Sequence, residues 1–70
     1  MSNFNVSTEH KIALLTERIN ALNLEGYQHE LNKKSAEALG NSEVVAQSVE
    51  AMAIIQSAIT VHETELADLA

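Results

Sequence analysis

Through the second half of the chain Val45, Ser48, Met52, Ile55, Ile59, His62, Leu66 and Leu69 follow one another at alternating spacings of three and four. That line is one face of a helix, and it has the form of a coiled-coil seam with the polar residues Ser48 and His62 set into it. A matching line opens the first half of the chain at Ile12, Leu15, Ile19 and Leu22. Continued at the same spacing it meets Gly26, His29 and Lys33, whereas the apolar residues that follow are Leu24, Tyr27, Leu31, Ala38 and Leu39. At about 100° per residue the later set lies more than a third of a turn from the earlier one. The apolar stripe of the first helix is therefore expected to change face near Leu24 to Tyr27. Gly26 sits inside the change, and a glycine in a helix interior costs about 1 kcal/mol relative to alanine. A first helix kinked near Gly26 is one reading. A continuous helix whose two halves face different neighbours is the other, and the absence of proline favours it.

End signals divide the chain into two helices. Ser7 or Thr8 is the expected N-cap of the first, with Glu9 placed well against the helix dipole. Gly40 has the position of a residue that ends this helix, and Asn41 or Ser42 that of the next N-cap. So short a turn makes the helices antiparallel. The fold class is all-α, an antiparallel helical hairpin spanning residues 7–70, preceded by a flexible N-terminal arm over residues 1–6. Pairing about the Gly40–Asn41 turn brings Glu63 level with Arg18 and Asp68 near Lys11, two ion pairs that would support this register.

The second helix is apolar beyond its seam. Val44, Ala51 and Ala58 flank one side, Val49 flanks the other, and Ile54 and Val61 extend further round. One partner helix does not cover a face so wide. A homo-oligomer is expected, most simply a dimer of hairpins forming a four-helix bundle in which Ala51 and Ala58 permit close approach. Val45, Met52, Ile55, Ile59 and Leu66 are the candidate self-association residues, with Ile12, Leu15, Ile19 and Leu22 opposite them as the intrachain hairpin core. The displaced patch of Leu24, Tyr27 and Leu31 is the candidate contact for a further protein partner.

Composition narrows the possibilities. Seventy residues without cysteine have neither the bulk for a large core nor disulfides to replace one. Phe4 and Tyr27 are the whole aromatic content. The formal net charge is −6, and all four basic residues (Lys11, Arg18, Lys33, Lys34) precede Gly40. Phosphate backbones and anionic lipid repel such a surface, so direct binding of nucleic acid or membrane is not expected. No unbroken apolar run approaches the roughly 20 residues of a membrane span, and the first residues carry no signal-peptide pattern. A cytoplasmic location is expected. In size and composition the chain resembles the small acidic helical proteins of bacterial and phage genomes, a resemblance that implies an accessory role and transfers no residues.

Chemistry-bearing residues are sparse. Glu25 and His29 lie four apart and share a helix face, where they could hold a metal ion or a proton. Di-metal bundles use a carboxylate and a histidine three apart plus inward-facing glutamates from other helices, and the second helix has no acid on its seam. His62 is either a polar seam residue that fixes register or a pH switch. Glu25, His29 and His62 are thus the candidate ligands, with metal binding disfavoured. No nucleophile elbow and no phosphate-cradling loop is present, and two helices enclose little concave volume, so neither catalysis nor a cofactor is expected. The expected function is a non-enzymatic, self-associating helical interaction or scaffold protein. The alternatives are an acidic inhibitor or nucleic-acid mimic seated in a partner's basic groove, and a metal-binding helical bundle.

Overall fold

The computed structural model describes residues 4–70, so Met1 to Asn3 of the expected arm lie outside the described residues. Two helices follow, α1 (Thr8–Leu39, 32 residues) and α2 (Ser42–Leu69, 28 residues). They pack against each other as an all-α hairpin. At 1.5 Å per residue they are about 48 and 42 Å long, which accounts for a molecule of 49 × 18 × 17 Å.

The caps carry out what the sequence signals. Ser7 is extended, and its side chain accepts a hydrogen bond from the His10 amide at 3.2 Å, satisfying one of the free donors of the first turn. At the other end Gly40 has φ 69°, a left-handed conformation that a side chain would strain. This lets its own amide reach Glu37 O and the Asn41 amide reach Ala36 O at 2.9 Å, closing the last turn of α1 with both bonds of a Schellman motif. The Asn41 side chain then accepts from the Val44 amide at 3.2 Å and starts α2.

α1 runs unbroken through Gly26. Its contact face does not swing away after Leu22. It continues along the original spacing through Gly26, His29 and Lys33, all half-buried, to the buried Ala36. These side chains are small or amphipathic because α2 supplies the bulk. A Cβ added to Gly26 would lie 3.5 Å from Cγ2 of Ile55, so the helices come close at this level. Lys33 is half-buried as long basic side chains are, by laying the stem on apolar surface while the ammonium stays wet. All eight seam residues of α2 are buried or half-buried. On α1, Leu15, Ile19 and Leu22 are half-buried, whereas Ile12, close to the open end, is exposed.

One substitution follows from the Gly26 contact. A separation of 3.5 Å is ordinary van der Waals contact, so a methyl group fits without displacing Ile55. Gly26→Ala should therefore raise stability by about 1 kcal/mol through helix propensity alone. Urea unfolding followed by circular dichroism measures it, and a loss of stability would show that the helices need the bare backbone there.

The expected ion pairs are not made. Gly26 opposite Ile55 fixes a register in which Arg18 is indeed level with Glu63. The two nevertheless lie on opposite edges of the helix interface. Lys11 shares a groove with Glu65 along one edge, whereas Asn23 and Glu30 share one with Gln56 along the other. Arg18 is one heptad from Lys11 and Glu63 is one heptad from Gln56. Lys11 likewise faces the Glu65 groove rather than Asp68. No ion pair within 4.0 Å joins the helices among the described residues.

Candidate interaction surface

A hairpin of this shape is mostly surface. Its buried apolar residues among those described are Ala36, Ile55 and Ile59, joined by the buried Ser48. The radius of gyration is 15.7 Å, against about 11 Å for a compact domain of this length. The accessible surface is 5438 Å², against roughly 4,300 Å² for a folded monomer of this mass. The excess of roughly 1,100 Å² follows from two helices having only one another to cover them.

Part of the uncovered apolar surface belongs to α2, where Val49, Ile54 and Val61 are exposed. Val44, Gln47, Ala51, Ile54, Ala58, Val61, Glu65 and Asp68 repeat the seam one residue earlier in the chain, hence about 100° around the helix. Val44, Ala51 and Ala58 border the seam and are half-buried, while Ile54 and Val61 are 64% and 66% exposed. α2 thus carries two apolar faces, one filled by α1 and one open. The candidate self-association residues Val45, Met52, Ile55, Ile59 and Leu66 lie on the filled face, with Ile55 and Ile59 buried inside a single chain.

The second exposed patch is on α1. Leu24 and Leu31 are exposed on the side turned from α2, with Leu24 63% exposed, while Tyr27 lies at the edge of the interface, lining the groove that Met52, Ile55 and Gln56 form on α2. They lie away from the contact line that runs through Gly26, His29 and Lys33, which is why the apolar stripe read from the sequence parts from the contact face here.

The averaged hydropathy of α2 adds something that a count of unbroken apolar residues passes over. The helix contains a stretch with mean hydropathy 1.5 and is long and apolar enough to cross a bilayer by length and composition. Only 17% of that stretch is buried in the hairpin. The value comes from the sum of the two faces, since Gln47, Ser48, Glu50, Gln56, Ser57 and Thr60 interrupt the sequence throughout.

The candidate ligands are not assembled. Among the described residues no group of three or more His, Asp or Glu side chains could hold a metal. In the Gly26–Ile55 register His29 is level with Met52, and His62 with Ile19. The two histidines are therefore about 15 Å apart along the hairpin. His62 Nδ1 lies 2.6 Å from Ala58 O. A carbonyl oxygen only accepts, so Nδ1 carries a proton and donates, and this nitrogen is not free for a metal. His62→Leu replaces a half-buried polar ring with a side chain that suits the seam, and should stabilise the fold by about 1 kcal/mol of added apolar burial. Thermal unfolding of the two proteins measures the difference; a less stable leucine variant would mean that the bond to Ala58 carries more than the ring's burial costs.

The grooves between the helices are larger than the expectation of little concave volume suggests. One near the turn measures about 370 Å³ and holds His29, Asn32 and Ser48, and one at the open end measures about 360 Å³. Both are open to solvent. The first is lined by no carboxylate that could orient His29 as a base. The second is apolar, formed by Leu14, Leu15 and Leu69 beneath Phe4 and Val6.

The fold and its open faces define a two-helix hairpin with apolar strips on both of its helices. No protein-family model, curated protein or solved structure matches the chain.

Proposed function

We propose that this protein is a non-enzymatic helical interaction module that self-associates through α2 and serves as a scaffold element. The observation that carries this reading is the second apolar face of α2, on which Ile54 and Val61 stay about two-thirds exposed in the single hairpin. The surface in excess of a compact monomer is about what each partner buries in a stable complex, roughly 800 Å² or more. A dimer of hairpins would thicken a core that holds three buried apolar residues among those described in one chain and make stability depend on protein concentration. The Leu24, Tyr27 and Leu31 patch then serves a further protein partner on the outer side of the assembly.

Sedimentation equilibrium tests the reading. A dimer, with an unfolding temperature that rises with concentration, is the expected result, and Tyr27→Ala should leave both unchanged because it lies off the self-association face. A folded monomer whose unfolding is independent of concentration would overturn the proposal.

A further inference from the structure

The open strip of α2 is complementary to itself when reversed. Overlapped fully with an antiparallel copy, Ala51 stands opposite Val61 and Ile54 opposite Ala58, so in the four central layers each large apolar side chain meets an alanine, and at the two ends Val44 stands opposite Asp68. Gln47 then stands opposite Glu65, where its amide can donate to the carboxylate. A parallel overlap stacks Ile54 on Ile54 and Ala51 on Ala51, alternating crowded and empty layers that pack poorly. It also sets Glu65 against Glu65 and Asp68 against Asp68. The last turn of α2 contains no basic residue, so parallel helices would align like charges with the negative ends of two dipoles.

We infer that the partner on this strip is a second copy of the chain, docked α2 against α2 in antiparallel orientation about a two-fold axis passing between Ile54 and Ala58. The inference rests on the self-association proposed above and adds its face, direction and register. The contact is isologous, each Ala51–Val61 layer being repeated on the other side of the axis. Because the strip is about 100° from the seam, α1 and the second α2 occupy different sides of the helix. The alanines let the two α2 axes approach to about 8 Å, the near end of the helix-packing range.

Disulfide trapping reads the arrangement directly, since the chain has no cysteine of its own. Ala51→Cys and Val61→Cys are made separately, checked for helicity, and oxidised alone and as an equimolar mixture. In the antiparallel register two copies of residue 51 are offset by about 15 Å along the axis, beyond the roughly 7 Å over which Cα atoms can be bridged. A covalent dimer that forms in the mixture at least tenfold more than in either variant alone is the expected result. Cross-linking of each variant with itself would mean parallel helices and overturn the inference while leaving self-association intact. Absence of cross-linking with a parent that still sediments as a dimer would place the contact on another face. A monomeric parent would remove the underlying reading as well, and if that monomer floated with phosphatidylcholine vesicles the strip's occupant would be a bilayer.

Discussion

Replacing Ile55 by alanine should remove about 2–3 kcal/mol of stability, and replacing Ile55 and Ile59 together should leave the hairpin unfolded at room temperature. Isoleucine-to-alanine changes in cores cost about 2–5 kcal/mol, and the lower part of that range applies because the space next to a two-helix interface is easily reached by water. Globular chains hold roughly 0.05–0.15 kcal/mol per residue, or about 4–10 kcal/mol at this length. The two isoleucines are the only large buried side chains among the described residues. They sit one turn apart on the same face, so the double change need not equal the sum of the singles. Leu39→Ala is the control: Leu39 is 84% exposed, and its truncation should alter stability by no more than about 0.5 kcal/mol. Urea titrations followed by circular dichroism compare the three. Single Ile55 and Ile59 variants as stable as the Leu39 variant would mean that the seam is not what holds the helices together.

The sequence and the hairpin agree where one kind of residue does one job. The seam of α2 was legible because large apolar side chains recur on it from Val45 to Leu69, with Ser48 and His62 as the only breaks. The turn was legible because Gly40 and Asn41 each have a local role that few other residues fill, a positive φ and a side-chain acceptor for the Val44 amide. The second half of α1 was not legible by the same method. Its contact face is made from Gly26, His29, Lys33 and Ala36, residues that an apolar search skips, while the conspicuous Leu24 and Leu31 point outward and Tyr27 reaches only the edge groove. The missing signal is in the partner helix: a bulky Ile55 opposite a glycine makes the pair, and neither residue indicates it alone.

Level and edge also separate in this comparison. Turn position fixes which residues are level, so Arg18 and Glu63 were correctly matched along the axis. Which edge each occupies depends on heptad position, since helices in an antiparallel pair place like-numbered flanking positions on the same edge. That second condition breaks the proposed ion pair. It also leaves the acids near the end of α2 without basic partners among the described residues, which is one reason for looking beyond a single hairpin.

Ile54→Glu should dissociate the protein into monomers, weakening self-association at least a thousandfold. The two-fold axis brings the substitution into the contact twice, each time setting a carboxylate against Ala58 of the other copy, with the nearest amide donor on the strip, Gln47, about 10 Å away along the helix. A buried unpaired charge costs several kcal/mol after relaxation, and about 1.4 kcal/mol is a factor of ten in a dissociation constant. Even about 2 kcal/mol at each of the two positions therefore gives roughly a thousandfold. Leu24→Glu is a closely matched control, because Leu24 is 63% exposed in the hairpin and Ile54 is 64% exposed. Each hairpin would tolerate either glutamate equally, with an effect within about 0.5 kcal/mol for a surface site. If Ile54→Glu monomerises the protein and Leu24→Glu does not, the difference lies in what covers each residue. Sedimentation equilibrium of both variants supplies that comparison, and equal behaviour of the two would place the self-association of this chain somewhere other than the second face of α2.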